Sequence, residues 1–293
     1  MEFHKEVYGK WILSGEHAVL RGGPALVFPV KSRSFRLDYQ EKAHDLKIQL
    51  LGGHSEDFQL IIWGVIERAC DQLGFSRSQL KGLIQLRSDI PAGAGMGASA
   101  ALCVAITLWL KQLGHVPSGE EYETARKLEN LFHGESSGVD VAVCLSNQGL
   151  KFRRSGERDS VDLQWSPYWY LSYTGQRGVT KDCVQQVKAL FDRDYSLATS
   201  LDQRMNEATA LAETALKMDE ASGFEQLLQA IRQAGSCFHE WGLCSGAVKS
   251  HLEELTTYGA SAVKLTGSGN GGYALSLWKE PPPDRILQSL IPV

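Results

Sequence analysis

Residues 91–101, PAGAGMGASAA, have the composition of a segment that binds phosphate through its backbone. Gly93, Gly95 and Gly97 alternate with small or apolar residues, and a long apolar run follows them. Backbone N–H groups approach a phosphate closely only where no Cβ atom stands in the way. A helix that begins there adds unpaired N–H groups and a partial positive charge. We therefore predict that residues 91–97, the glycine loop, bind phosphate; a connection that serves packing alone is the alternative.

Two common phosphate-binding motifs fit the glycine loop poorly. A Walker A motif needs GxxxxGK[ST], and no Lys-Ser or Lys-Thr pair follows a glycine in this chain. The dinucleotide fingerprint GxGxxG/A is matched by Gly93, Gly95 and Ala98. That fingerprint normally opens the first βαβ unit of its domain, whereas here an N-terminal sheet is predicted to come first. An oxidoreductase that binds a nicotinamide cofactor is therefore only a weak alternative.

Two carboxylates further along the chain could serve phosphoryl transfer, which needs a metal to neutralise the phosphates and a group to accept the hydroxyl proton. Asp140 follows a turn-forming Ser-Ser-Gly and precedes an apolar run, which is also typical of an acidic residue at a helix N-terminus. Glu129 shares a helix face with Ala125 and Phe132, so it is partly turned inward. An inward carboxylate is costly unless a cation or donors meet it. From the spacing alone, the alternative that Glu129 is an exposed charge at the edge of this face stays open.

Hydrophobic periodicity predicts the elements that position these residues. Residues 6–40 alternate apolar runs with turn signals and are predicted to form strands. Residues 57–74 have helical spacing, and residues 82–90 are predicted to form a strand. The run after the glycine loop is apolar nearly all round, which indicates a buried helix.

A second helix in this half is predicted from its capping signals. Ser118 and Glu121 match a capping box, and the helix is expected to end near His133, before Gly134. In the second half, periodicity predicts three strands and four helices: strands at 168–174, 260–265 and 272–278, and helices at 179–192, 196–217, 222–241 and 245–257. Strands mixed with helices in both halves predict an α+β protein of two lobes, with a boundary near 155–165.

The composition excludes several classes of protein. The 293 residues are 43% hydrophobic and 22% charged, with a net charge of -4 and no basic block, so nothing favours nucleic acid or an anionic membrane as a partner. The six cysteines are dispersed without a CxxC pair, which predicts buried thiols in a reducing compartment. The N-terminal residues lack a signal-peptide pattern, and no apolar stretch is long enough to span a bilayer. We expect a cytoplasmic protein.

The stretch 91–101 resembles the central phosphate-binding motif of the GHMP kinases, the family of galacto-, homoserine, mevalonate and phosphomevalonate kinases. The family pattern is a proline, three variable residues and then Gly-Leu-Gly-Ser-Ser-Ala. Met96 replaces the leucine and Ala98 the first serine, which removes one hydroxyl, while Ser99 keeps the second serine.

Two further segments resemble family motifs and occur in the family order. GKWILSGEHAVLRGGPAL, residues 9–26, is similar to the first motif, and KLTGSGNGGYAL, residues 264–275, is similar to the third. The resemblance implies an α+β, two-lobed GHMP kinase fold, with an N-terminal lobe like domain 2 of ribosomal protein S5 and a ferredoxin-like C-terminal lobe. It places the ATP, magnesium and catalytic motifs in lobe 1–160 and the third motif, on the substrate side, in lobe 161–293.

The resemblance also implies how ATP and Mg²⁺ are held. It assigns ATP phosphate binding to Gly93, Ala94, Gly95, Met96, Gly97, Ala98, Ser99 and Ala100. The magnesium-binding glutamate of the family lies eleven residues before its catalytic aspartate, as Glu129 lies before Asp140. Glu129 and Ser99 are therefore expected to bind Mg²⁺, which prefers few protein oxygens together with phosphates and water.

The same resemblance implies the catalytic and acceptor-binding residues. SGVD, residues 137–140, matches the segment that carries the catalytic aspartate of mevalonate kinases, so Asp140 is expected to accept the hydroxyl proton. Lys10 matches the lysine of the first motif, where its charge would keep Asp140 ionised and stabilise the transferring group. His17 is expected near the carboxylate end of the acceptor, Glu16 in a supporting role, and Arg177 paired with a substrate carboxylate. Thr180, Gly267 and Ser268 complete the expected acceptor side.

The function that the resemblance implies first is ATP-dependent phosphorylation of mevalonate to 5-phosphomevalonate, in the isoprenoid pathway. Phosphomevalonate kinase or another small-alcohol kinase of the family is the alternative, although no set of added cations for a phosphorylated acceptor can be identified. Ala18 and Val19 after GEH disfavour a sugar acceptor, and Asp140 disfavours homoserine kinase. A catalytically silent ligand sensor is less favoured, because all four expected active-site residues are present. The possibility that the protein forms a homodimer stays open.

Overall fold

Two long strands, β1 (Glu2–Ser14) and β2 (Ala25–Asp45), pair with each other at the start of the chain. The computed structural model describes residues 1–52, 56–133 and 136–293. Tertiary contacts divide the chain into two units, each assembled from separate stretches of sequence. The first unit comprises residues 1–9, 33–91 and 97–147, and the second comprises residues 10–32, 92–96 and 148–293. The lobe boundaries implied by the family resemblance stay a prediction.

The first unit contains a sheet in which β4 (Lys81–Ser88) lies between β3 (Lys47–Leu50) and β2. β4 runs antiparallel to β2, with Ile84 opposite Tyr39, and parallel to β3, with Ile84 opposite Ile48. The helices of this unit are α1 (Glu56–Leu73), α2 (Ala98–Gln112), α3 (Glu121–His133) and α4 (Val139–Ser146). The glycine loop follows β4, but the next strand after α2 in the described residues, Leu150–Phe152, pairs antiparallel with β2 and does not pair with β4, so the loop does not open the parallel βαβ unit of a dinucleotide-binding fold.

The helix after the glycine loop is buried along most of its length, as its apolar composition predicts. Every residue from Ala100 to Thr107 is at most 2% exposed, and Trp109 and Leu110 are fully buried. α2 packs against α1, α3 and α4, so it is surrounded by the other helices of this unit. This packing fixes the end of the glycine loop, because α2 begins directly after Gly97.

The predicted capping box at Ser118 and Glu121 is wrong. α3 begins at Glu121, and a turn closed by the bond from Glu120 N–H to the Pro117 carbonyl precedes it. The Glu121 carboxylate accepts hydrogen bonds from Gly119 N–H at 2.9 Å and from the Lys111 ammonium. The Glu121 side chain would have completed the capping box, but the Lys111 ammonium and Gly119 N–H engage it instead. Gly134, expected to end this helix, lies outside the described residues.

The second unit contains a four-stranded antiparallel sheet with the order β10, β7, β9, β8. In the same unit, β5 pairs with the start of β2 and with β6. The elements are β5 (Leu150–Phe152), β6 (Arg158–Ser160), β7 (Tyr168–Tyr173), α5 (Thr180–Arg193), α6 (Tyr195–Leu216), α7 (Glu220–Glu240), α8 (Gly246–Thr257), β8 (Ala262–Thr266), β9 (Tyr273–Trp278), α9 (Asp284–Leu287) and β10 (Ile291–Pro292). The predicted helices and strands of this half are confirmed within two residues at almost every end.

The apolar core of the second unit joins its helices to its sheet. α6 packs on α7, and α7 and α8 pack on β8. Phe238 of α7 and Leu265 of β8 belong to one buried cluster with Leu201 and Met205 of α6. All six cysteines are buried thiols, as predicted. Among the described residues, no helix has the length and apolar character needed to cross a membrane.

Candidate active site

The three glycines of the glycine loop all have left-handed backbone conformations. The φ angles of Gly93, Gly95 and Gly97 are 68°, 82° and 79°. Residues with a Cβ atom rarely adopt such angles, so the alternating glycines are required by the shape of the loop. Gly97 is also the N-cap of α2 and has no side chain to bond the first N–H groups of the helix. The loop therefore ends at a helix N-terminus whose donors no N-cap side chain engages, as a phosphate site needs.

Two buried side chains, those of Ala94 and Met96, alternate with exposed glycines in the glycine loop. Ala94 is 8% exposed and Met96 is 1% exposed, whereas Gly93 and Gly95 between them are exposed. The carbonyl of Met96 accepts a hydrogen bond from the backbone N–H of Lys10 at 2.9 Å. The loop thus presents Gly93 and Gly95 outward while the side chains of Ala94 and Met96 are buried. The Lys10 side chain is buried as well, at 5% exposure.

The guanidinium of Arg177 lies against the backbone of the glycine loop. A Cβ atom added to Gly93 would come within 2.6 Å of Cζ and Nη2 of Arg177. Arg177 is exposed and follows Thr174, whose hydroxyl donates to the Gly272 carbonyl at 3.0 Å. The backbone of residues 176–178 is in turn packed on the third glycine-rich turn, because Gly272 N–H donates to the Gln176 carbonyl at 2.7 Å.

In the first unit, the Glu129 carboxylate is buried and accepts a hydrogen bond from the Ser136 hydroxyl. Its exposure is 2%. Burial, and then the nearby charge of Glu129, raise the pKa of the Cys103 thiol on α2 well above its usual value. Ser99 precedes Cys103 by four residues and lies on the same face of α2. Glu129 therefore faces the side of α2 that carries Ser99.

Asp140 lies in the first turn of α4. The N-cap of this helix is Gly138, with a φ of 82°. A Cβ atom at Gly138 would lie 2.0 Å from the hydroxyl oxygen of Tyr122, so only glycine fits the turn. The expected SGVD segment thus forms a tight turn that places a carboxylate at a helix N-terminus, where the helix dipole stabilises its charge.

The GEH turn of the second unit has a strained backbone. His17 has φ 60° and ψ -47°, and Ala18 N–H donates to the Glu16 carbonyl at 2.6 Å. This is a γ-turn of the rare positive-φ kind, which is costly for any residue other than glycine. His17 Nε2 donates to the Ser268 carbonyl at 2.8 Å, since a carbonyl can only accept. Its ring also makes an edge contact with Trp241, at 5.1 Å between centroids.

A buried ion pair holds the other side of this turn. The Lys264 ammonium donates to Oε1 of Glu16 at 2.5 Å, and both side chains are almost completely buried. Burial raises the pKa of the Glu16 carboxyl and lowers that of the Lys264 ammonium, and each charge opposes the shift of the other. Lys264 Nζ also lies 5.3 Å from the centre of the Phe238 ring. The pair ties the first predicted motif to the third.

The structure groups the remaining predicted acceptor residues in the second unit. Ser268 Oγ donates to Thr180 Oγ1 at 3.3 Å, and the Ser268 carbonyl binds His17. Gly267, with a φ of 94°, lies close to the Gly95 carbonyl. Residues of three sequence motifs therefore meet within this unit, while Ser99, Glu129 and Asp140 belong to the first unit.

Comparison with known proteins shows which proteins this chain resembles. Residues 61–148 match the family model for the GHMP kinases N terminal domain. Mevalonate kinase of Pyrococcus abyssi is 29% identical to this chain, over 92% of this chain and 88% of its own length. Mevalonate kinase of Aeropyrum pernix is also 29% identical, over 97% of this chain and 90% of its own. Over residues 61–148 this chain therefore matches a GHMP kinase N-terminal domain, and over nearly its whole length it is similar to mevalonate kinases.

The overall architecture of this protein is matched by a solved structure. L. major mevalonate kinase in complex with R-mevalonate superposes with a TM-score of 0.79 at 22% identity, covering 95% of this chain and 87% of the other. At that identity, the match establishes the fold alone. It confirms the mixed α+β GHMP kinase fold that the motifs imply.

The side-chain oxygens of Glu129 and Ser99 would suit magnesium better than a transition metal. Among the residues that the structure describes, no three His, Cys, Asp or Glu side chains cluster to hold a metal. Magnesium needs only one or two protein oxygens when phosphates and water complete its octahedron. A buried carboxylate at Glu129 that faces the Ser99 side of α2 is consistent with that requirement. These two residues would hold the ion, which would neutralise the phosphate charge of ATP.

Two residues that bond to candidate-site residues were not predicted from the sequence. Ser136 bonds Glu129, and Lys264 pairs with Glu16. Lys264 did carry a signal, because it lies between apolar residues of β8 on the face shared by Ala262 and Thr266. Ser136 lies in a polar turn and has no pattern that separates it from the neighbouring Ser137.

His17 should make the stability of this protein depend on pH. Burial lowers its pKa from 6.5 to about 4, and the bond to the Ser268 carbonyl opposes this only in part. Between these values the unfolded chain binds a proton that the folded His17 does not. The free energy of unfolding should therefore fall as pH drops from 6.5 to 4, by about 3 kcal/mol.

This dependence can be isolated by comparing denaturation curves of the wild type and His17→Gln across that window. The glutamine amide can still donate to the Ser268 carbonyl but does not titrate. The difference in unfolding free energy between the two proteins should change steadily with pH. Two curves that stay parallel from pH 6.5 to 4 would show that His17 does not cause the effect.

Proposed function

We propose that this chain is a mevalonate kinase, which transfers the γ-phosphoryl group of ATP to the 5-hydroxyl of mevalonate. The reaction class rests on one observation above all, the buried Glu129 carboxylate on the Ser99 side of the helix that follows the glycine loop. The choice of acceptor rests on the two mevalonate kinases that are 29% identical over at least 92% of this chain.

In the proposed reaction, an oxygen–phosphorus bond forms at the acceptor hydroxyl while the bond from the γ-phosphorus to the ADP oxygen breaks. Asp140 accepts the proton that the hydroxyl loses. N–H groups of the glycine loop and of the α2 N-terminus bind the phosphate oxygens. Lys10 stabilises negative charge on the transferring group. Each role follows from the family resemblance and is consistent with the burial and helix positions described above.

The GEH turn supports acceptor binding in this proposal. His17 is neutral at physiological pH, because burial lowers its pKa to about 4. Its Nε2 proton is directed to the Ser268 carbonyl, so the imidazole serves the acceptor by fixing the turn and by offering Nδ1 as a hydrogen-bond acceptor. A positive charge for the acceptor carboxylate must then come from another residue, and Arg177 is the proposed source.

An ADP-release screen tests the proposed function. The purified protein is given ATP and Mg²⁺ with mevalonate, phosphomevalonate, homoserine or galactose. We expect ADP release with mevalonate and little with the others. Faster turnover of phosphomevalonate would support the second family activity instead. Binding of ATP and mevalonate without ADP release would indicate a silent sensor. A cytoplasmic location remains part of the proposal.

Replacing Arg177 tests its role with the acceptor. Arg177→Gln should raise the KM for mevalonate at least about tenfold, since a hydrogen bond to a charged group contributes about 1.5–3 kcal/mol. The KM for ATP should change little. Lys181→Gln removes a nearby exposed charge on α5 and serves as the matched control. If only the KM for ATP rose, the guanidinium would act on the nucleotide phosphates beside Gly93 instead.

A further inference from the structure

Ser136 is fixed at three points beside the buried Glu129 carboxylate. Its backbone N–H donates to Oδ1 of Asn130 at 2.8 Å, and its hydroxyl oxygen accepts from Gly138 N–H at 3.0 Å. Because that oxygen accepts from Gly138, its proton is directed to Oε2 of Glu129. Ser136 is 5% exposed and Glu129 is 2% exposed, so water does not compete strongly for this bond.

We infer that Ser136 determines which divalent cation this protein prefers, by holding one oxygen of Glu129 in a hydrogen bond. A cation at Glu129 is then bound through the other oxygen, Oε1. Magnesium accepts a single carboxylate oxygen within a tight octahedron, whereas calcium takes six to eight ligands and often binds both oxygens of one carboxylate. The hydrogen bond to Oε2 therefore favours Mg²⁺ over Ca²⁺. This inference rests on the proposed function only in placing a divalent cation at Glu129.

The same serine links the metal ligand to the helix of the proposed base. Gly138 is the N-cap of α4, and Asp140 lies in the first turn of that helix. The bond from Gly138 N–H to Ser136 thus joins the α4 N-terminus to the Glu129 carboxylate through one hydroxyl. Partners of this kind orient metal ligands, and their loss typically lowers metal affinity.

The test measures metal binding without the acceptor. Mg²⁺ and Ca²⁺ are titrated separately by calorimetry into the full-length protein saturated with a non-hydrolysable ATP analogue. Ser136→Ala should weaken Mg²⁺ binding about tenfold or more. Calcium affinity should stay unchanged or rise, because Glu129 can then use both oxygens. Ser136→Thr keeps the hydroxyl and should restore the wild-type preference for Mg²⁺.

The control is Ser146→Ala, which removes a hydroxyl at the other end of α4 that bonds the Val143 carbonyl at 3.2 Å. It should leave both affinities unchanged. A Ser136→Ala protein that loses Mg²⁺ and Ca²⁺ affinity equally would overturn the inference, because a merely structural role lowers both. Failure of mevalonate in the ADP-release screen leaves this result intact, so the two proposals fail separately. Failure of the wild-type protein to bind either cation would reject both the proposed function and this inference.

Discussion

Asp140→Asn is expected to lower kcat at least about a hundredfold, the lower range for loss of general acid–base assistance. The asparagine has nearly the same shape and keeps its place in the first turn of α4, so the fold should be unaffected. It cannot take up the proton that leaves the acceptor hydroxyl. ATP affinity should stay close to the wild-type value, because the proposed nucleotide contacts are those of the glycine loop and the α2 N-terminus.

The measurement combines steady-state kinetics with a separate titration of ATP binding. Glu220→Gln is the matched control, since Glu220 is also an acidic residue in the first turn of a helix and is exposed. It should keep full turnover. An Asp140→Asn protein with nearly wild-type kcat would remove Asp140 from the proposed mechanism. A loss of ATP affinity as large as the loss of kcat would assign Asp140 to binding instead.

Lys264→Met should destabilise the protein by about 3–5 kcal/mol, the range for a buried ion pair that loses one partner. The Lys264 side chain is completely buried, and its loss leaves the Glu16 carboxylate without its counter-ion. Glu16 would then be protonated more readily, because burial alone raises its pKa. The strained γ-turn at His17 would also lose one of the contacts that hold it.

Chemical denaturation at neutral pH measures this cost. The double variant Glu16→Gln/Lys264→Met removes both charges of this pair and should recover most of the lost stability, since an ion pair replaced as a whole is often close to neutral. Lys249→Met removes an exposed lysine, 3.8 Å from Glu253, and should cost at most about 1 kcal/mol. Equal destabilisation by the single and double variants would refute the ion-pair explanation.

These two variants also separate catalysis from structure. Asp140→Asn should change kcat with little effect on unfolding, whereas Lys264→Met should change unfolding first. The Glu16→Gln/Lys264→Met protein is informative for the acceptor, because it can be folded while its GEH turn lacks the buried charges. Any rise in its KM for mevalonate would measure how much the ion pair contributes to positioning His17.

The sequence by itself predicted most of the longer helices and strands and the chemistry of the motifs, but it did not predict the short elements β3, α4, β5, β6, α9 and β10. Helices such as α1 and α7 follow from hydrophobic periodicity, because burial of a continuous apolar face depends on local spacing. The α2 helix follows from a run that is apolar nearly all round. The glycine loop could also be predicted, because alternating glycines permit a backbone shape that other residues resist. The assignment of Asp140 and Glu129 came from a resemblance, and it stays a prediction.

Only the tertiary structure decided which polar groups meet. Glu16 and Lys264 are 248 residues apart, and their pairing depends on β8 lying beside the GEH turn, which no local pattern encodes. Ser136 became visible only when its hydroxyl was found bonded to Glu129. Likewise, Glu121 was expected to cap its own helix, but Lys111 at the end of α2 engages it. Spacing sets the face on which a side chain lies, whereas a long-range partner is chosen by packing.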